Sequence, residues 1–309
     1  MIRKINSYSK HLLLLLLIIS IHQINAQREP QYTQYINNTL TYNPAYINTQ
    51  EDVTFTALGR AQWAGFEGAP NTYSFSAIFP SMNKLGVGLN IIRDEIGATR
   101  QTSFSADFAY EIQLSSTIYT SFGASAGGSF LNTNYNDGNV LNPSDPFLNN
   151  RNDFDPSLGF GVMTYAENWY VGVSIPNFLK NSYYSAQNNT LIDRANLQLF
   201  ILGGYIFNLN DNLKFKPAVL ARVTPNLPFV MDYSANMLIN NKITIGLSYR
   251  TSKIITGMFG IKLTDSFYLG YSYDSTISGL SSSNKGSNEI MLKFTIPNKI
   301  RTIKSPRFY

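Results

Sequence analysis

Apolar and polar residues alternate with a period of two along most of the chain. In the stretch Ser103–Ile112, every second residue starting at Phe104 is aromatic or aliphatic, and the residues between them are mostly polar. The stretches Phe229–Ile239, Lys242–Arg250 and Glu289–Ile296 repeat the pattern. Few windows have the three- and four-residue apolar spacing of an amphipathic helix. The alternation therefore predicts β-strands whose two faces meet different surroundings.

Turn-forming residues divide the alternating stretches into separate strands. The predicted strands are Val53–Trp63, Thr72–Phe79, Leu85–Arg93, Gln101–Ile112, Thr117–Leu131, Ser157–Tyr165, Trp169–Ile175, Leu197–Phe207, Leu213–Thr224, Phe229–Ile239, Lys242–Arg250, Ile254–Lys262, Phe267–Tyr273 and Asn288–Ile296. These are fourteen strands, an even number, as in bacterial single-chain membrane barrels.

The connections between these strands differ in length according to their order. The even-numbered ones are all tight and centre on Pro80–Lys84, Ser115–Ser116, Glu167–Asn168, Asn208–Asn212, Asn240–Asn241 and Thr264–Ser266. The odd-numbered ones include Asn132–Pro156, Pro176–Asn196 and Asp274–Ser287, which are long and rich in Asn, Ser, Gly and Asp. Membrane barrels have short periplasmic turns and longer outer loops, whereas a secreted soluble β protein has no reason to sort its loops in this way.

The fold prediction is therefore all-β: a transmembrane antiparallel β-barrel of about 14 strands with its N and C termini in the periplasm. No apolar run after the N-terminal region is long enough for a transmembrane helix. Only helices and closed barrels pair every backbone polar group inside a lipid bilayer. Closure of the sheet is thus required if the chain lies in a membrane.

The N-terminus has the three-part layout of a secretory signal peptide. Arg3, Lys4 and Lys10 precede the apolar run Leu12–Ile19, and a small residue, Ala26, follows. A membrane-anchoring helix is the alternative, but the apolar run is well short of the roughly 20 residues that span a bilayer. We therefore expect cleavage after Ala26 and localisation in the outer membrane.

Four segments follow from these boundaries. Residues 1–26 are the predicted signal peptide, and residues 27–52 are a polar and aromatic segment expected in the periplasm or in the barrel lumen. Residues 53–296 are the predicted transmembrane barrel. Residues 297–309 are the predicted basic periplasmic tail.

Composition restricts the chemistry of the mature chain. Both histidines, His11 and His22, lie in the signal peptide, and the chain has no cysteine. This excludes Ser-His-Asp and Cys-His catalysis and the usual zinc, copper and haem ligand sets. Asp107 and Glu111 lie roughly 13 Å apart along a strand, too far for a cooperating carboxylate pair. We expect no enzymatic activity, no cofactor and no small-molecule substrate.

Net charge does not point to a nucleic-acid partner. The signal peptide has three of the 24 basic residues and none of the 19 acidic ones. The mature chain therefore has 21 basic and 19 acidic residues, a net charge of +2. The expected surroundings of the barrel are outer-membrane lipid.

Alternation places several charged residues on the lumen-facing side of their strands. The candidates for this luminal charge network are Arg60, Asp107, Glu111, Arg222, Asp232, Arg250, Glu289 and Lys293. They could form a selectivity ring or bind a threaded segment, or they could be paired with one another as filling of the barrel interior. Because an unpaired buried charge is costly, pairing is expected in either case.

Several motifs in the chain resemble those of the PorP/SprF family of outer-membrane proteins, which belongs to the type IX secretion and gliding-motility system of Bacteroidota. They are QYTQYINNTLTYNPAY (Gln31–Tyr46), RAQWAGFEGAP (Arg60–Pro70), GVGLNIIRDEIG (Gly86–Gly97), LGYSYDSTISGL (Leu269–Leu280) and GSNEIMLKF (Gly286–Phe294). The stretches DPSLGFGVMTY and YVGVSIPNFL in the middle of the chain are also similar. Asn288 departs from the pattern, since the family often has His there.

The resemblance implies a function in type IX secretion or gliding motility. Such proteins help to export a large secreted surface protein of the adhesin class and to hold it at the cell surface, or they act with periplasmic components of the secretion machinery. The alternative is a general or selective outer-membrane porin, which would conduct ions.

The first predicted outer loop and the C-terminal tail are candidate docking sites for such partners. In the loop, Trp63, Phe66 and Glu67 could contact a partner, although for Trp63 a place in the interfacial aromatic girdle of a barrel is favoured over docking. In the tail, the basic residues are Lys299, Arg301, Lys304 and Arg307, and no acidic residue accompanies them. The tail could bind an acidic partner, peptidoglycan or lipid headgroups, or serve only as a solubilising spacer.

Four aspartates are assigned by the same strand boundaries to outer loops. These are Asp145, Asp153, Asp155 and Asp274. Carboxylates can bind calcium, but the spacing of a calcium-binding loop is absent. We therefore expect solvated loop carboxylates.

Overall fold

The structure is a computed structural model that describes residues 32–80, 84–134, 151–179, 197–225, 227–277 and 286–297. The predicted signal peptide, Asp145 and the four basic residues of the tail lie outside these ranges. In the described ranges the chain forms two short 3-10 helices and fifteen strand segments. Neither helix is long or apolar enough to cross a membrane.

The elements follow one another along the chain without crossovers. The 3-10 helices are Thr39–Thr41 and Pro44–Thr49. The strands are β1 (Val53–Ala61), β2 (Asn71–Phe79), β3 (Leu85–Ile96), β4 (Thr99–Gln113), β5 (Tyr119–Thr133), β6 (Arg151–Tyr165), β7 (Trp169–Ile175), β8 (Leu199–Tyr205), β9 (Phe207–Asn210), β10 (Leu213–Val223), β11 (Val230–Ile239), β12 (Ile243–Arg250), β13 (Ile254–Lys262), β14 (Phe267–Thr276) and β15 (Ser287–Ile296).

The strands form one closed antiparallel barrel. Each strand pairs with its sequence neighbours, and β15 pairs with β1, with Arg60 opposite Glu289. The segments β8 and β9 both pair with β10 and are interrupted only at Ile206, so they form one barrel strand and the barrel has fourteen. The predicted antiparallel β-barrel of about fourteen strands is confirmed.

The predicted alternation separates the two faces of the barrel wall. In β4, Phe104, Phe108 and Tyr110 are exposed on the outer face, whereas Asp107 and Ala109 are buried on the inner face. An exposed apolar outer face is stable only in contact with lipid. The polar inner face encloses a lumen.

The strand boundaries agree with the sequence prediction to within three residues, except at one strand start and one interruption. The strand β6 begins at Arg151, six residues before the predicted Ser157, and the predicted strand Leu197–Phe207 is interrupted at Ile206. The strand β14 ends at Thr276, three residues after the predicted Tyr273. Two odd-numbered connections are also as tight as the even ones: Gly97 and Ala98 join β3 to β4, and residues 251–253 join β12 to β13. We call the end of the barrel with the 62–70 connection the long-loop end, and the opposite end the tight-turn end.

Residues 32–52, here called the luminal segment, lie inside the barrel. Tyr32, Ala45 and Ile47 are almost completely buried. The second 3-10 helix contacts β3, β4, β5 and β6 from within. The lumen is therefore occupied by the chain itself.

Candidate functional site: the luminal segment and its seat

Local sequence explains why the luminal segment folds back on itself. Asn43 caps the second 3-10 helix, because its side-chain oxygen accepts a hydrogen bond of 2.9 Å from the Ala45 amide. Pro44 occupies the first helical position, where a missing N–H costs nothing. The Thr39 hydroxyl donates to the Tyr35 carbonyl at 2.9 Å. These short-range bonds give a compact polar and aromatic segment without strands.

Three charged side chains from three neighbouring strands meet inside the barrel next to this segment. Arg60 of β1 lies 2.6 Å from Asp274 of β14 and 3.3 Å from Glu289 of β15. All three side chains are at most 3% exposed. We call these three residues the Arg60 cluster. Because two carboxylates surround one guanidinium, the cluster can accept further hydrogen bonds.

The Arg60 cluster binds the start of the luminal segment. The backbone amides of Thr33 and Gln34 donate to the two oxygens of the Glu289 carboxylate, at 3.0 and 2.8 Å. The Thr33 hydroxyl donates to Asp274 at 2.8 Å. Charge-assisted hydrogen bonds of this kind are about twice as strong as neutral ones. The cluster therefore holds the backbone of the luminal segment against the wall.

A second charged pair lies on the same side of the lumen. Arg250 of β12 donates to Asp232 of β11 at 2.6 Å, and both are buried. Nearby, the Tyr35 hydroxyl lies 3.1 Å from the Ser234 hydroxyl, and burial raises the pKa of this tyrosine. Arg222 places its guanidinium 5.5 Å from the Phe200 ring centroid. This wall thus interacts with the segment through polar and charged side chains.

The opposite wall contacts the segment through glycines. We call Gly86, Gly88, Gly123, Gly161 and Gly172, on β3, β5, β6 and β7, the glycine seat. A Cβ atom at Gly123 would overlap the Ala45 backbone, and one at Gly161 would overlap the Asn43 side chain. Glycine permits the close approach of another backbone. The wall is shaped to receive the luminal segment.

Hydrogen bonds fix the segment in the glycine seat. The Asn43 side-chain amide donates to the Val162 carbonyl at 3.2 Å and to the Val173 carbonyl at 3.4 Å. Further along the segment, the Asn48 side-chain amide donates to the Ser121 hydroxyl at 3.2 Å. The segment is therefore bound to strands on both sides of the lumen.

The luminal segment runs along the length of the barrel. Its start contacts Arg60, which lies seven residues beyond Val53 in β1, about 23 Å along the strand at ~3.3 Å per residue. Its end, Asp52, directly precedes Val53. The segment thus enters the described structure near the long-loop end and leaves at the tight-turn end, so it occupies the lumen over this distance.

The predicted luminal charges are not one connected set. Arg60 and Glu289 belong to the Arg60 cluster, and Asp232 and Arg250 form the second pair. Arg222 lies over Phe200, close enough to Asp232 of the second pair for an electrostatic interaction. The other three lie elsewhere on the inner wall: Glu111 accepts from Tyr165, Asp107 accepts from Ser105, and Lys293 lines a cavity at the tight-turn end.

The assignment of three aspartates to outer loops is wrong. Asp274 lies in β14 and completes the Arg60 cluster, and Asp153 and Asp155 lie in β6. The reason is that β6 and β14 extend beyond their predicted ends. Within the described ranges, no three acidic residues are grouped so that they could hold a metal ion.

The candidate docking loop lies outside the lumen. Trp63 and Phe66 are 44% and 59% exposed, and Glu67 is exposed as well. The Trp63 amide donates to the Ser287 hydroxyl at 3.3 Å, which joins the loop to the start of β15. The loop makes no hydrogen bond to the luminal segment among those between described residues. Lys299, Arg301, Lys304 and Arg307, the candidate docking residues of the tail, lie outside the described residues.

Sequence reasoning missed the glycine seat and the role of Asp274. A usable signal for the seat was present, because Gly86 and Gly88 occupy alternate positions of one strand and therefore share a face. The partner of that face, however, lies about forty residues earlier in the sequence. Alternation identifies a face but not the segment that covers it.

Solved structures with a similar fold are outer-membrane barrels. The CymD monoaromatic hydrocarbon channel matches with a TM-score of 0.53 and 10% identity, over 84% of this chain and 93% of that one. The Ralstonia pickettii toluene transporter TbuX matches with a TM-score of 0.49 and 9% identity, over 84% of this chain and 93% of that one. At such identity the likeness to CymD indicates a shared fold alone.

Comparison of the sequence with protein families gives a specific result. No curated protein sequence matches the chain. The family described as type IX secretion system membrane protein PorP/SprF matches residues 24–294, which include nearly all of the barrel and the luminal segment. The chain therefore belongs to the PorP/SprF family of type IX secretion system membrane proteins.

Proposed function

We propose that this chain is a closed binding partner in type IX secretion, which assists the export of a large adhesin-like surface protein and holds it at the cell surface. The observation that carries the proposal is the luminal segment, which lies inside the barrel and is bound to both walls. A solute pore needs an open path along its axis. A barrel that only binds partners can do so with its ends and loops. An occupied lumen therefore favours this function over a porin.

The proposal includes the placement of the protein in the cell. The signal peptide is removed after Ala26, and the tight-turn end faces the periplasm while the long-loop end faces the outside. The docking loop with Trp63, Phe66 and Glu67 then meets the secreted protein, and the tail residues after Pro297 meet periplasmic components of the machinery. No covalent chemistry is part of this function.

Deletion of the gene tests the proposal. Surface adhesins are labelled on intact cells and gliding is recorded in the deletion strain, in the same strain complemented with the wild-type gene, and in the parent. We expect loss of one large surface protein in the deletion strain and its return on complementation. Unchanged adhesin display together with unchanged motility would contradict the proposal.

A further inference from the structure

The strand β6 is much longer than its neighbour β7. It pairs with β5 over its whole length, from Arg151 to Tyr165, but with β7 only over Phe160–Tyr165. At the tight-turn end β6 and β7 finish together, because Tyr165 lies opposite Tyr170. The excess length of β6 therefore lies entirely at the long-loop end.

The last contacts of β6 on the side of β7 are at Leu158. The Leu158 carbonyl accepts a hydrogen bond of 2.9 Å from the Phe178 amide, and the Leu158 amide donates to the Asn177 side chain at 3.2 Å. Beyond Leu158, the pairing of β6 with another described strand is with β5 alone.

The backbone of β6 beyond Leu158 has unpaired groups on one side. Successive residues of a strand point their backbone groups to opposite sides, so Asn152, Phe154 and Pro156 point theirs to the same side as Leu158. No hydrogen bond between described residues reaches these backbone groups. We call Arg151–Ser157 the free edge. It is about 23 Å long at ~3.3 Å per residue.

The proline in this stretch fits an unpaired edge. Proline has no N–H, and within sheets it occurs almost only on edge strands. Pro156 lies opposite Gly128 of β5, and its missing N–H would have pointed away from β5. The ladder between β5 and β6 therefore loses nothing, and β6 is an edge strand over the length of the free edge.

Aromatic side chains lie beside the free edge on the outer face of the barrel. Phe154 and Phe130 are 50% and 55% exposed, and their ring centroids are 4.9 Å apart. The Phe104 ring stacks on both, with centroid distances of 6.0 Å to Phe130 and 6.5 Å to Phe154. A side chain of an added strand would pack against Phe154, as neighbours on adjacent strands do. The free edge thus offers backbone hydrogen bonds and apolar contact together.

We propose that the free edge is the docking site for an extended segment of the secreted partner, which adds to β6 as a short β-strand. The proposal rests on the proposed function, which assigns the long-loop end to the secreted protein. Unpaired backbone groups at every second residue are complementary to another extended backbone, and not to a lipid or a small solute. The seven residues of the free edge are enough for a strand of usual length. Main-chain bonds supply affinity, and an apolar side chain next to Phe154 supplies selectivity.

A second copy of this chain does not fit the free edge. The place beside it lies above β7 of the same barrel, because the chain continues from β7 to Phe178 next to Leu158. The β6 strand of a neighbouring barrel stands over the wall of that barrel, so it could reach this place only if the two walls overlapped. The occupant is therefore a chain that arrives from outside the membrane.

Proline substitutions test the proposal in cells. Asn152→Pro and Phe154→Pro each remove one N–H of the free edge and leave the bonds to β5 in place. The readout is the surface display of the large protein that deletion of the gene removes, labelled on intact cells. We expect each proline variant to display about fivefold less than its counterpart that keeps the N–H, Asn152→Ala or Phe154→Leu, which corresponds to the loss of one hydrogen bond. The amount of the same protein that co-purifies with the barrel should fall in parallel.

Asp265→Pro is the matched control for the introduction of a proline. Asp265 is exposed in the tight turn between β13 and β14, at a turn position that favours proline. Display in this variant should equal that of the wild type. Folding is checked by heat-modifiable gel mobility and by the urea midpoint, which should be the same in each proline variant and its counterpart. If Phe154→Pro does not fold, Asn152→Pro against Asn152→Ala decides alone.

Three results would overturn the proposal. They are equal display in the proline variants and their counterparts, an equal loss of display in Asp265→Pro, and a lower urea midpoint of both proline variants, which would show that the free edge is already paired within the chain. If gene deletion removes the surface protein but Asn152→Pro displays it like Asn152→Ala, the free edge is not the docking site and the proposed function stands. If gene deletion removes no surface protein, both proposals fail.

Discussion

The two walls of the lumen hold the same segment by different means. On the wall formed by β1, β11, β12, β14 and β15, the Arg60 cluster and the Asp232–Arg250 pair offer charged side chains. On the wall formed by β3, β5, β6 and β7, the glycine seat removes side chains so that the backbone of the segment approaches closely. Attraction on one wall and fitted shape on the other together fix one position for the luminal segment.

The charged wall should be the more sensitive to substitution. Arg60→Met leaves the buried carboxylates of Asp274 and Glu289 without their guanidinium, which should lower the free energy of unfolding by about 3–5 kcal/mol. Urea unfolding followed by tryptophan fluorescence measures the loss. The control is Arg93→Met, because the Arg93 side chain is 51% exposed in its pair with Glu95 and its removal should cost at most about 1 kcal/mol. Equal losses would contradict a special role for the charged wall.

The glycine wall should respond to a single methyl group. Gly123→Ala places a Cβ in the backbone of Ala45 and should lower the free energy of unfolding by about 1–3 kcal/mol. Gly257→Ala is the control, since a Cβ there meets nothing within 4 Å. That variant should be neutral or slightly more stable, because alanine restricts the unfolded chain. The same urea unfolding measurement compares the two variants. If Gly123→Ala were as stable as Gly257→Ala, the luminal segment would not be tightly packed against the glycine seat.

Asn43 joins the internal structure of the luminal segment to the glycine wall. Asn43→Ala removes the cap on the Ala45 amide and the bonds to Val162 and Val173, so the free energy of unfolding should fall by about 1–2 kcal/mol. Asn212→Ala, in an exposed turn, should change it by less than about 0.5 kcal/mol. If Asn43→Ala were as stable as Asn212→Ala, the hydrogen bonds of Asn43 would not be what holds the luminal segment in the glycine seat.

The docking loop should matter least for stability. Phe66 is exposed, so Phe66→Ser should change the free energy of unfolding by less than about 0.5 kcal/mol. If the loop docks a secreted partner, the same variant should reduce adhesin display on intact cells. A large loss of stability would instead show that Phe66 contributes to the stability of the fold.

Alternation predicted most of the fold because successive side chains of each strand face the outside of the barrel and the lumen in turn. Phe104 and Asp107 were assigned to opposite faces from the sequence, and the structure has them so. Arg60 and Glu289 were also placed on the inner face, and both lie there. Their mutual contact was not predictable, because it depends on the register of β1 against β15, which pairs residues 229 positions apart.

The luminal segment was harder to place from the sequence. The stretch Gln31–Thr49 is polar and aromatic without any periodicity, so its pattern fits the lumen and the periplasm equally. Asp274 was placed in a loop because the stretch Asp274–Ser287 is long and rich in Asn, Ser, Gly and Asp. Pairing with β13 extends β14 through them, and tertiary contacts override the local preference.

The central claim is that the luminal segment closes the barrel, and planar-bilayer conductance tests it most directly. The purified mature chain is compared with a variant that lacks residues 32–49, after heat-modifiable gel mobility has established that both barrels are folded. We predict no steady conductance for the wild type and stable ion-conducting steps for the shortened chain. Steady conductance of the wild type equal to that of the shortened chain would contradict the account.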